Sequence, residues 1–341
     1  MDEARVIPLH AGALTGTVRR ARQLARRPAP RTPGQDADIL TLPAQQPPDA
    51  VLEPAPDSAT AQRWERRLES ALEFVGRRLQ GGYRIDEYGF DVDLTENVVL
   101  PALRPLYDSW FRVEVNGIDN IPSTGGALLV ANHAGGLGPL DAAMTAVAVH
   151  VEHPQRRFLR MLGADLLFAL PGVGSFARKT GSTLACGQDA ERLLSAGELV
   201  GVWPEGFKGI GKPYRERYKL QRFGRGGFVS AAIRSGVPII PVAIVGSEEI
   251  HPVLGRSKLA ARLLNLPYFP LTPTFPWLGP LGLIPLPSKW YIEFGAPIHT
   301  EDLDRAAADD EAVVFDLADR VRETIQSTLY RLLVQRRSVW R

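Results

Sequence analysis

The chain reads as an α/β protein: a layered mixed sheet flanked by helices, preceded by a disordered N-terminal tail. Three observations predict this. Short apolar runs of strand length (Ala127–Ala131, 198–202 and 239–245) alternate with stretches of helical spacing at 141–151, 188–196 and 224–234. The first two strand-like runs lead into glycine-bearing loops, and in such sheets ligands gather at the edge where strands end. Residues 1–60 differ, holding nine prolines and little periodic apolarity, a composition that does not support a packed core.

Taken in order, the tail comes first. Its stretch 17–31 carries Arg19, Arg20, Arg22, Arg26, Arg27 and Arg31, which suits either a solvated tail or an electrostatic tether to anionic lipid. Residues 61–80 form an amphipathic helix with Trp64, Leu68, Ala71, Leu72, Val75 and Leu79 on one stripe, stopped by Gly81 and Gly82. The stripe fits core packing or docking on a membrane surface. A helical stretch at 96–110 is expected to break at Pro101 and Pro105, and a strand follows at 112–115. These elements give N-terminal helices over 61–110 and an α/β domain over 111–300, with its motifs within 127–246. Residues 265–287 are rich in large apolar side chains yet crossed by prolines, so they are a packed loop or an exposed lipid or acyl-chain surface. A strand at 290–294 and a C-terminal helix within 301–341 close the chain. That helix, 309–334, places Val314, Leu317, Val321, Ile325, Leu329 and Leu332 on one face.

Composition narrows the function classes. A formal net charge of +2 gives no electrostatic footprint for nucleic acid. One cysteine, Cys186, excludes an intrachain disulfide and a cysteine-built zinc site. No apolar run reaches membrane-spanning length and the N-terminus lacks a signal-peptide core. A peripheral protein at the cytoplasmic face of a membrane is the expectation, with neither metal nor resident cofactor.

The chemistry-bearing stretch begins at the end of the first strand. Asn132 and His133 follow Ala131, then Gly135, Gly136 and Gly138 give a loop that bends sharply and approaches a ligand closely. Pro139 suits a helix start and puts Asp141 in the first turn, where the helix dipole favours a carboxylate. An imidazole and a carboxylate thus share one sheet edge, an arrangement able to run general-base chemistry. Alone, such a pair is more often a capped side chain and a favourable charge. The second loop, 203–211, which also follows an apolar strand, shifts that balance.

Together the loops resemble the glycerolipid acyltransferase superfamily, whose members acylate glycerol phosphate and lysophosphatidate. Asn132, His133 and Asp141 match its first block. Trp203, Pro204, Glu205 and Gly206 match the aromatic-Pro-Glu-Gly loop, and Val237–Gly246 matches its Pro-containing strand. The likeness covers about 111–294 and has the flavour of an actinobacterial branch. Two departures stand out. The family spacing H-x4-D falls on Gly138, three residues short of Asp141, so the loop here is longer. The block-two arginine that contacts phosphate is missing, with Cys186 and Gly187 in its place.

The resemblance implies acyl transfer from acyl-CoA or an acylated carrier protein to a lysophospholipid or other glycerolipid hydroxyl. His133 would be the base, Asp141 its orienting acid, and loop amides near Gly135 and Gly136 the oxyanion donors. Asn132, Glu205, Gly206 and Lys208 are expected at the substrate. The basic run after them, including Arg215, Arg217 and Arg222, either grips the acceptor phosphate in place of the lost arginine or is a solvated loop. A neutral acceptor such as diacylglycerol, and a non-catalytic lipid- or carrier-binding protein, are the alternatives. Residues 206–213, GFKGIGKP, imitate a nucleotide P-loop but place Pro213 where a magnesium-binding hydroxyl is needed. No G-x-S-x-G elbow stands at a strand–helix turn, which disfavours a serine hydrolase.

Overall fold

The structure is a computed structural model that describes residues 57–135, 138–264, 266 and 268–340. The expectations placed on residues 1–56 and on Gly136 lie outside the described residues.

Strands β1 (Glu114–Asn116), β2 (Ala127–Ala131), β3 (Leu159–Gly163), β4 (Ser182–Leu184), β5 (Leu199–Val202), β6 (Ile239–Val245) and β9 (Tyr291–Phe294) form one sheet. Its order is β1-β9-β6-β2-β5-β3-β4, and β7 (Gly255–Arg256) pairs separately with β8 (Pro270–Leu271). The run from β6 to β4 is parallel, whereas β9 is antiparallel to β6 and parallel to β1, so the sheet is mixed as expected. The helices are α1 (Asp57–Gln80), α2 (Leu140–Glu152), α3 (Asp165–Ala169), α4 (Val173–Lys179), α5 (Gly187–Ser195), α6 (Phe207–Ile210), α7 (Gly227–Ser235), α8 (Lys258–Leu263) and α9 (Glu311–Gln335).

Strand period explains the layers. Leu128 and Val130 of β2 enter one buried cluster with α5, α7 and α9, while Ala127, Leu129 and Ala131 enter a second with α2 and residues 100–111. Cover on both faces is why β2 reads as an unbroken apolar run. The six predicted stripe residues of α9 are all buried, and Asp310 caps the helix by accepting from the Ala312 and Val313 amides. Burying them contributes on the order of 10 kcal/mol against an extended unfolded chain, an upper bound. Pro241 stands in the middle of β6, where a missing amide normally argues against a central strand. Its carbonyl accepts from the Gly295 amide, so its nitrogen also faces the β9 side, just past the last ladder pair, Val242 with Phe294.

Two expectations are corrected, and one open choice is narrowed. The helix begins at Asp57, so residues 57–60 belong to it rather than to the tail. Pro101 and Pro105 do not break the helical stretch, which runs over 92–110 with π turns at Thr95–Val99 and Leu106–Trp110. The Leu100 and Phe111 amides reach back five residues, to Thr95 and Leu106, and the Leu106 amide reaches Leu103, so the missing proline donors are bypassed. The stripe of α1 is not core: Leu68, Leu72, Val75 and Leu79 are all exposed. Among the described residues no helix is long and apolar enough to cross a membrane.

Candidate active site

β2 and β5 are neighbours with Val130 opposite Val202, so the loops that follow them leave the sheet side by side at the same edge. This adjacency builds the site. His133 stands two residues beyond β2, and its Nδ1 lies 2.6 Å from Asp141 Oδ2. The same carboxylate oxygen accepts from the Ala134 amide at 2.8 Å, and Oδ1 accepts from the Ala142 amide at 2.9 Å. Asp141 is fully buried and accepts from two backbone amides, so it meets the His133 ring as a hydrogen-bond acceptor. The loop's extra length is absorbed at Gly135, whose φ of 130° suits glycine and whose Cβ position lies 2.5 Å from the Gly138 carbonyl oxygen. Despite the departure from H-x4-D, the two side chains meet.

Two residues expected at the substrate are hydrogen-bonded to the backbone around the site. Asn132 is fully buried, its Nδ2 donating to the Ile244 carbonyl at 3.0 Å and its Oδ1 accepting from the Ile244 amide at 2.7 Å. It extends the β2–β6 ladder by one side-chain step. Glu205 is also buried; Oε1 accepts from the His133 amide at 2.9 Å, and Oε2 accepts from the Gln221 amide at 2.7 Å and lies 3.4 Å from Lys212 Nζ. The Pro-Glu-Gly carboxylate thus ties the second loop to the backbone of His133.

Gly206 is the turn that starts α6, and Lys208 stands exposed on it. Arg215 is exposed beside Glu216 at 3.5 Å, Arg217 stacks 4.5 Å over the Tyr214 ring, and Arg222 lies 6.0 Å from the Phe315 ring. None of the three contacts the His133–Asp141 pair. Cys186, in the position of the lost block-two arginine, is exposed at the start of α5.

Sequence reasoning missed two features. A Cβ on Gly209 would lie 2.7 Å from both the His133 carbonyl oxygen and Glu205 Cβ, and 3.1 Å from His133 Cβ. The glycine is the floor on which the His133 loop rests; the second glycine of 203–211 was its sequence signal. The second feature is the buried trio around Lys212, whose Nζ lies 3.1 Å from Glu248 and 3.4 Å from Glu205. Lys212 looked like one more member of a basic run, and only burial distinguishes it. A small cavity of about 10 Å³, the size of one water probe, lies beside it against Ala134, Gly135, Gly209 and His251. A larger cavity of about 700 Å³, lined by Arg112, Lys289, Arg337 and Trp340 among others, shares no residue with this site.

Burial pushes the Glu248 carboxyl up to about 7, against the pull of Lys212. Its folded pKa exceeds its ordinary 4.5, so the folded chain keeps a proton that the unfolded chain releases between those values. That contribution is complete below pH 4.5 and disappears as pH rises through 7. Urea unfolding of wild type and Glu248→Gln at pH 4.5 and 8 is expected to show the wild type losing up to about 3 kcal/mol relative to the variant. An unchanged difference would contradict the assignment.

A family model described as Acyltransferase matches residues 112–245, from before β1 to the end of β6, and so contains both loops. The chain belongs to the acyltransferase family. This acyltransferase is 59% identical over 267 residues to an uncharacterised protein of Mycobacterium tuberculosis, covering 78% of this chain and 74% of that one. An uncharacterised Mycobacterium leprae protein is 58% identical over the same length, covering 78% and 72%, in keeping with the actinobacterial branch. At greater distance, the DGAT1/2-independent enzyme synthesizing storage lipids of Bos taurus is 25% identical over 226 residues, 64% of each chain. The solved 1-acyl-sn-glycerophosphate (LPA) acyltransferase PlsC of Thermotoga maritima shares 20% identity at a TM-score of 0.47, covering 81% of this chain and 99% of that one.

Proposed function

We propose that this acyltransferase moves a fatty acyl group from a thioester, acyl-CoA or acylated carrier protein, to the free hydroxyl of lysophosphatidate at a membrane surface, yielding phosphatidate. The observation that carries the reading is the 2.6 Å contact between His133 Nδ1 and Asp141 within a family-matched domain. His133 Nε2 removes the hydroxyl proton as the oxygen attacks the thioester carbonyl. Asp141 holds the ring and stabilises the imidazolium. Collapse of the tetrahedral centre expels the thiolate, which takes up the proton held by His133. On this reading the oxyanion donors are backbone amides of the glycine loop after His133. The experiment is turnover of labelled acyl-CoA and acylated carrier protein by the purified chain against a panel of lysophosphatidate, glycerol phosphate, monoacylglycerol and diacylglycerol. Absence of transfer to every hydroxyl acceptor would sink the reading.

A neutral acceptor is the second reading. It is favoured by the outward placement of Arg215, Arg217 and Arg222 and by the storage-lipid enzymes among the relatives. The triple variant Arg215→Gln, Arg217→Gln, Arg222→Gln separates the two. Under the phosphate reading its apparent KM for lysophosphatidate rises about tenfold or more, as charge-assisted contacts are lost, with kcat little changed. An unaltered KM favours the neutral acceptor.

A further inference from the structure

Residues 250–288 leave the sheet after β6 and return to it at β9. The excursion is pinned at its base by the Leu286 amide on the Ile250 carbonyl at 2.9 Å and by the β7–β8 pairing. Above that base it departs from an ordinary surface. Leu259 and Leu263, one helical turn apart on α8, are 70% and 76% exposed; Trp277, Leu278, Leu281 and Ile284 of the following loop are 72%, 56%, 66% and 52% exposed. A lone exposed leucine needs no explanation, but this density on one short excursion marks a contact surface.

Charge tells what it contacts. The chain has 38 acidic residues in 341, about one in nine, yet none lies between Glu249 and Glu293. The same stretch carries Arg256, Lys258 and Arg262, all exposed, beside the leucines of α8. An apolar surface fringed by cations and cleared of carboxylates complements an anionic lipid bilayer, where side chains enter the acyl region and cations meet phosphates. A tryptophan as the most exposed of the loop's large apolar residues suits the interface, because its ring is apolar and its N–H is wet. An acidic protein partner read through charge would leave so much exposed apolar surface unused.

The surface is fastened to both active-site loops. The buried His251 ring places Nδ1 2.9 Å from the Gly135 carbonyl oxygen and Nε2 3.1 Å from that of Leu283. Arg256 donates to the Gly211 carbonyl, and the Tyr214 amide donates to Val253 at 2.8 Å. We propose that the 250–288 excursion docks the enzyme on an anionic bilayer, with Trp277 and its leucine neighbours inserted and Arg256, Lys258 and Arg262 at the headgroups. This deepens the acyl-transfer reading, and rests on it for what docking delivers to the site, not for the docking itself.

Cosedimentation of the full chain with vesicles of phosphatidylcholine, alone or with one quarter phosphatidylglycerol, tests it. The wild type partitions onto the anionic vesicles. Trp277→Glu with Leu281→Glu lowers that partition by about tenfold or more, and Lys258→Gln with Arg262→Gln removes the anionic preference and its salt sensitivity. These side chains face solvent, so melting temperatures should match wild type, and turnover of a short-chain acceptor dispersed as monomers should stay within about twofold. Wild-type partition by the Trp277/Leu281 variant would overturn the proposal. So would binding to an acidic carrier protein, in place of vesicles, through the same residues. If the variants lose vesicle binding as expected but no acceptor is ever acylated, the docking surface stands and the acyl-transfer reading falls.

Discussion

His133→Ala is expected to lower acyl transfer by about a hundred- to ten-thousandfold, with the main loss in kcat. The buried imidazole supplies the proposed base, and Asp141 keeps the Ala134 and Ala142 amides when the ring is gone. The fold should therefore survive, which thermal melting checks alongside the rate. Asp141→Asn is the companion variant. An amide in that buried position offers an N–H where three donors now converge, so it favours the wrong histidine tautomer, a change that can cost about ten-thousandfold in a histidine–carboxylate pair. The double variant should be hardly slower than the worse single one, because the two act as a unit. Turnover of labelled acyl donor at the wild-type rate by His133→Ala would remove the assigned base.

Gly209→Ala carries the second large effect and touches no atom of the proposed chemistry. Its new methyl would sit 2.7 Å from the His133 carbonyl oxygen and from Glu205 Cβ, so backbone has to move. Overpacking of this kind typically costs about 1–3 kcal/mol of stability. The two loops would part, stretching the 2.9 Å bond from the His133 amide to Glu205 and tilting the imidazole. A displacement near 1 Å at a reacting group lowers rate by about a hundredfold. The expected result is that loss in kcat with acceptor KM little changed, and a melting temperature lowered by several degrees. A variant with normal kcat would show that the second loop does not position the first.

Much of the molecule was legible before the fold was seen, for specific reasons. β2, β6 and α9 announced themselves because burial on one or both faces imposes a period that side chains must obey. His133 and Asp141 were legible because a strand end, a glycine loop and a first helical turn leave them little freedom of placement. Residue type by itself did not show environment. Asn132 and Glu205 looked like ligand groups and are hydrogen-bonded into the frame; Lys212 looked solvated and is buried between carboxylates. Prolines 101 and 105 looked like breaks because a sequence does not show that π turns can bypass their missing donors.

The sequence by itself determined the alternation of strands and helices, the His133–Asp141 pair and the second glycine loop, since each is written in a local pattern of burial, turn chemistry and helix start. Tertiary structure alone decided that β2 and β5 lie side by side, that Glu205 and Gly209 serve His133, and that the proline-rich segment exposes its apolar side chains. Strand order and solvent exposure depend on contacts between residues far apart in the chain, and local preferences carry no information about those.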